Sequence, residues 1–114
     1  MKLLIAGSRS VTDFDFTPYV STDTDLIISG GARGIDRIAE RYADEKGISK
    51  LVLRPNYRLY GKAAPIKRNE VMVALADALI IVWDGVSRGT KYTLEYAKKK
   101  GKPVTLVLYE KKDK

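Results

Sequence analysis

The sequence predicts an α/β fold: one doubly wound domain on a mainly parallel five-stranded sheet of order 3-2-1-4-5, with helices on both faces. Three observations lead there. Short apolar runs alternate with segments of helical periodicity, which is the pattern of parallel βαβ units. Two of those runs pass directly into glycine-rich turns: Leu26-Ile27-Ile28 into Ser29-Gly30-Gly31-Ala32-Arg33-Gly34-Ile35-Asp36, and Ala78-Leu79-Ile80-Ile81-Val82-Trp83 into Asp84-Gly85-Val86-Ser87-Arg88-Gly89-Thr90. The chain has 114 residues, 45% of them apolar, which suits a single core. One domain over 1–110 and a frayed tail over 111–114 are expected.

Strands are expected near Lys2 to Ala6, Leu26 to Ser29, Leu51 to Arg54, Ala78 to Trp83 and Pro103 to Leu108. The first helix follows the first glycine-rich turn, because Ile35, Ile38, Ala39, Tyr42 and Ala43 recur at i, i+3, i+4, i+7 and i+8. Arg37, Glu40, Arg41, Asp44 and Glu45 fill its other face, and Gly47 stands where a C-terminal cap is wanted. A second helix should open near Pro65, whose fixed φ suits a first turn, and run through Val71, Met72, Leu75 and Ala76. The last begins at Gly89 or Thr90. Its buried stripe is Thr90, Thr93, Leu94 and Ala97, and Gly101 stops it. Pro55 to Ala64 reads as the longest irregular connection.

Composition narrows the chemistry. The chain has no cysteine and no histidine, which removes disulfides, thiolate zinc sites, and Ser-His-Asp or Cys-His catalysis; no metal site is expected. Acid-base work would fall to carboxylates, lysine, tyrosine or the ligand. A net charge of +7 permits attraction to nucleotides or nucleic acid. Lys98, Lys99, Lys100 and Lys102 gather where a helix should end and complement its dipole there without any partner. The apolar run at the start is too short for a signal peptide or a membrane span, so a cytoplasmic protein without membrane contact is expected.

Right-handed crossovers place every strand-to-helix loop at the carboxyl edge of the sheet. Gly7-Ser8-Arg9-Ser10 would then lie between the other two glycine-bearing loops, at the switch point where ligands bind. Free backbone N–H groups at such turns suit an anion, and glycines let it approach. The stretch Pro55-Asn56-Tyr57-Arg58-Leu59-Tyr60-Gly61-Lys62 interleaves aromatic and basic residues. It has two readings, base stacking with phosphate neutralisation or a covering loop.

Those loops, together with Gly61-Lys62-Ala63-Ala64-Pro65-Ile66-Lys67-Arg68-Asn69, resemble the small stand-alone SLOG domains of the YspA type over almost the whole chain. More distantly the order of motifs is similar to the DNA-processing protein DprA and to the LOG phosphoribohydrolases. The resemblance implies a Rossmann-like fold and the binding of a nucleotide or nucleotide-derived ligand. Carried over by position, it assigns Ser29, Gly30, Gly31, Ala32 and Gly34 to a phosphate or ribose-phosphate, with Gly7 and Ser8 facing the same cleft. Asp84, Gly85, Ser87, Gly89 and Thr90 form the opposing wall. Arg9, Arg33 and Arg88 stand at the tips, where a guanidinium can grip phosphate with two parallel bonds. Lys62, Arg68 and Asn69 complete the set. Asp36 is either a brace at the helix start or a sugar-hydroxyl contact.

The resemblance leaves turnover open, leaning against it. The LOG motif Pro-Gly-Gly-x-Gly-Thr-x-x-Glu ends on a catalytic glutamate, and aligning its Gly-Thr with Gly89-Thr90 puts Thr93 there. Glu95 is two residues on, about 200° around a helix, and should face away. If a reaction exists it is N-glycosidic hydrolysis of a nucleotide derivative, with Asp84 or Glu70 as the remaining carboxylates. Three functions stand as alternatives: a module that senses or sequesters a nucleotide derivative, a nucleoside-monophosphate phosphoribohydrolase, or a DprA-like single-stranded DNA binder. A homo-oligomer, most simply a dimer through exposed helix faces, is expected.

Overall fold

The computed structural model describes residues 1–110; the expected frayed tail over 111–114 lies outside the described residues. Five strands form one parallel sheet: β1 Lys2–Gly7, β2 Leu26–Ser29, β3 Ser49–Val52, β4 Ala78–Trp83 and β5 Val104–Leu108. Their order is β3-β2-β1-β4-β5, as the sequence predicts. Leu3, Leu4 and Ile5 of β1 pair with Ala78, Leu79 and Ile80 of β4, and Leu3 with Ile27 of β2. The central strands are apolar throughout because both their faces are covered.

One face carries α1, Ile35–Lys46, over Leu3, Ile5, Ile27, Ile80 and Val82. The other carries α3, Ala64–Leu75, and α4, Arg88–Lys99, over Leu4, Ile28, Leu79 and Ile81. Ile35, Ala39 and Ala43 of the anticipated stripe are buried, and Ile38 and Tyr42 pack beside them. Gly47 caps α1 in the left-handed conformation, φ 69°. Among the described residues no helix is long and apolar enough to cross a membrane.

Two expectations are corrected. The longest irregular connection is residues 8–25, between β1 and β2, whereas the Pro55 to Ala64 segment contains the short helix α2, Tyr57–Tyr60, and a 3-10 turn, Gly61–Ala63. The first connection has no helix because its Ser, Thr and Asp residues bond locally, as when Asp15 accepts the Thr17 N–H at 2.9 Å. Val11 and Phe16, fully buried, cover that face in place of a helix. The third strand begins at Ser49, two residues before the apolar run that announced it. As an edge strand it leaves Ser49 and Lys50 exposed, so its start carries no apolar signal.

Lys102 does more than complement its own helix. Its ammonium donates to Ala76 O at 2.8 Å and Ala74 O at 3.4 Å, closing the C-terminal end of α3. Lys102→Met keeps the alkyl stem and loses those bonds. It should lower unfolding stability by about 1 kcal/mol, read from urea titration.

Candidate functional site

Strands β1 and β4 lie side by side at the point where the sheet's winding reverses, with Gly7 opposite Val82. Their outgoing connections therefore part, and a cleft of about 480 Å³ opens above the strand ends. Four segments wall it: Gly7, Arg9 and Ser10 after β1; Ala32, Arg33 and Asp36 around the start of α1; Pro65, Arg68, Asn69 and Met72 along α3; and Asp84, Ser87, Gly89, Thr90 and Thr93 from β4 into α4. The structure thus brings together Gly7, Arg9, Ala32, Arg33, Asp36, Arg68, Asn69, Asp84, Ser87, Gly89 and Thr90 of the sequence-derived set.

The remaining members lie off the cleft surface. Ser8 is fully buried: its N–H donates to Val82 O at 3.0 Å, its hydroxyl oxygen accepts from the Asp84 N–H at 3.0 Å, and its carbonyl accepts from Ile35 N–H at 3.3 Å. Ser29 donates to Glu40 Oε2 at 2.7 Å and accepts from Gly31 N–H at 3.2 Å. Gly30 and Gly31 serve the protein itself, their carbonyls accepting from Arg68 at 2.5 Å and Arg54 at 3.2 Å. Gly34 is pressed against the backbone of Ser8 and Arg9. Gly85 sits in a turn closed by Asp84, Lys62 in the exposed 3-10 turn, and Arg88 is exposed at the first position of α4. Glu70, one of the two carboxylate candidates, accepts a bond from Tyr92 Oη at 2.5 Å and lines a separate groove.

Three charged groups set the electrostatics. Asp36 is 7% exposed, and burial raises its carboxyl to about 6 from the ordinary 3.8, against the opposing pull of the Ala32 N–H and the Arg68 charge. Its Oδ2 accepts from Ala32 N–H at 3.1 Å. Burial lowers the Arg68 guanidinium, and Asp36 opposes that shift. Arg68 also donates Nη1 to Leu53 O at 3.1 Å and Nε to Asn69 Oδ1 at 2.7 Å, so it stitches α3 to the ends of β2 and β3. Asp84 is held below the usual carboxylate range, first by the Val86 N–H and further by Ser87, Ser10 and Ser8. Its Oδ1 accepts from the Val86 and Ser87 amides, both at 2.9 Å, and Oδ2 from the Ser10 hydroxyl at 3.1 Å.

Both α1 and α4, each of 12 residues, begin at this cleft without a side-chain cap bond among the described residues. Ser87 and Thr90 share a hydroxyl-hydroxyl bond at 3.1 Å at the start of α4. Sequence reasoning left out Ser10, Pro65 and Met72. Pro65, Arg68, Asn69 and Met72 fall at i, i+3, i+4 and i+7, so helical spacing from Arg68 was the signal for the outer two. Thr93 lines the cleft and donates to Gly89 O at 3.0 Å, while Glu95 is exposed elsewhere.

No solved structure matches the chain. The "Gene 61 protein" of Mycobacterium phage D29 is 35% identical over 85 residues, which span 69% of this chain and 68% of that protein. A family model described as "YspA, cpYpsA-related SLOG family" matches residues 20–60, the stretch that holds β2, its glycine-rich turn, α1 and β3. With the sheet order, the glycine-rich turn and a relative of that coverage in agreement, the chain belongs to the YspA, cpYpsA-related SLOG family.

Proposed function

We propose that the cleft between the ends of β1 and β4 binds a nucleotide or nucleotide-derived phosphate, and that holding this ligand, to sense or sequester it, is the function. One observation carries the reading: α4 starts at the cleft with no side-chain cap among the described residues, whereas the first N–H of α1 is already taken by Ser8 O, and the exposed Arg9 and Arg33 stand on the rim. A helix N-terminus presents unpartnered N–H groups and the positive end of its dipole, and two guanidiniums add bidentate donors. The phosphate is assigned to the start of α4, around Ser87, Gly89 and Thr90, with Arg9 and Arg33 opposite. Asn69 and Asp36 on the far wall are left for sugar hydroxyls. The volume is within the range of small-molecule sites.

Holding rather than cleaving is supported by the carboxylates. Thr93 occupies the place of a catalytic glutamate, Asp84 is committed to two backbone amides, and Glu70 is bonded to Tyr92 outside the cleft.

The test is thermal unfolding against a panel of nucleoside mono-, di- and triphosphates, with inorganic phosphate as the reference anion. A ligand of the folded state raises the transition in proportion to the logarithm of its concentration. At least one nucleotide should stabilise the protein more than phosphate does. Arg33→Ala should weaken that nucleotide by roughly 10-fold, the scale of one charge-assisted contact. A panel without effect at millimolar concentration would overturn the reading. Affinity for single-stranded DNA that falls steeply with salt would replace it with strand binding.

A further inference from the structure

The two edges of the sheet are built differently. The β3 edge is four residues long, and Lys50, its ammonium paired with Asp44 at 2.8 Å, stands on it as a charged guard. The β5 edge, Val-Thr-Leu-Val-Leu, has no charge, proline or bulge between Val104 and Leu108. Pro103 O accepts from Leu79 N–H and Tyr109 N–H donates to Trp83 O, so odd-numbered residues of this stretch face β4. Val104, Leu106 and Leu108 therefore turn their own N–H and C=O groups outward. Leu106 and Leu108 are 40% and 67% exposed, on the same face as Val104, which packs against the α3 and α4 layer.

We infer that the β5 edge is the dimer interface of this protein, pairing antiparallel with β5 of a second copy about a two-fold axis at Leu106 to give one continuous ten-stranded sheet. The occupant follows from self-complementarity. Only residues with outward backbone groups can bond, and the register that uses all three sets Leu106 opposite the partner's Leu106 and Val104 opposite the partner's Leu108. Each facing pair then exchanges both N–H···O bonds, and the exposed leucines become cross-strand apolar pairs. The same register brings Glu110 beside the partner's Lys102, so charge agrees with geometry. An antiparallel pair closes on itself, whereas parallel pairing would leave a new edge open. This surface differs from the helix faces that the sequence first suggested.

Analytical ultracentrifugation over a dilution series, with the cysteine-free chain as background, tests this. The wild type should sediment at twice the 12.7 kDa chain mass. Leu106→Lys sets two like charges opposite each other and should give single chains, while Leu51→Lys on the β3 edge should leave the dimer intact. Register is read by oxidation. Cα atoms of a bonded antiparallel pair lie about 5.5 Å apart, within disulfide range, so Leu106→Cys should form a covalent dimer. Leu108→Cys, four residues from its own copy across the axis, should not. A wild type of single-chain mass throughout, a dimer that survives Leu106→Lys, or equal cross-linking at both positions would overturn the inference.

Discussion

Gly34→Ala is expected to lower stability by about 3 kcal/mol or more. Two costs add. Gly34 has φ 78° and ψ −131°, a combination reached essentially by glycine alone, with strain of about 1–3 kcal/mol for any other residue. A Cβ there would also lie 2.5 Å from Ser8 O and 2.6 Å from the Arg9 Cα. Both are backbone atoms, so no side chain can swing away, and overpacking of this kind costs about 1–3 kcal/mol more. Relief would mean moving Ser8, whose carbonyl accepts from Ile35 N–H and whose hydroxyl accepts from Asp84 N–H. Gly47→Ala is the control: φ is 69° but the space is open, so about 1 kcal/mol is expected. Equal losses in urea unfolding would show that the contact between the two loops contributes nothing.

The second large effect is a pH dependence removed by Asp36→Asn. Asp36 has a raised folded-state pKa, about 6 against an ordinary 3.8, so the folded protein binds its proton more tightly than the unfolded chain does. The stabilisation from this proton is fully present below about 3.8 and is lost as pH rises through about 6. The gap corresponds to about 3 kcal/mol. Asp84 acts in the opposite sense, since its lowered value gives stability that disappears as pH falls. The difference between wild type and Asp36→Asn isolates the term. The variant, neutral and able to accept the Ala32 N–H, should gain relative stability from pH 4 to 7, less whatever Arg68 loses with its neighbouring charge. A difference that stays flat across that range would refute the raised carboxyl.

How far the sequence reached depends on the physical range of each signal. The α1 stripe and its glycine cap are local periodic features, and they stand where periodicity put them. The strand order follows from crossover geometry. What local pattern does not carry is the destination of a polar group. Gly30, Gly31 and Gly34 read as an open cradle, yet Arg68 reaches Gly30 from 38 residues away, and Ser8 closes on Ile35 from another loop. Many of the residues at the cleft surface were legible as loop tips; the groups that close the glycine-rich turn are partly local, Ser29 on the Gly31 N–H and Asp36 on the Ala32 N–H, and partly distant, Arg68 on the Gly30 carbonyl and the Ser8 carbonyl on the Ile35 N–H. The start of β3 was lost for a related reason, because an exposed edge needs no apolar residues.

The sheet separates two cores, and each supports a different wall of the cleft: one lies beneath α1, the other beneath α3 and α4. Damage far from the cleft should thus act one-sidedly. Trimming Ala43's layer would loosen the wall that carries Arg33 while leaving Thr90 and Thr93 in register, and trimming Leu94's layer would do the reverse. Substitutions in one core therefore alter one jaw of the cleft at a time, with the other as a fixed template.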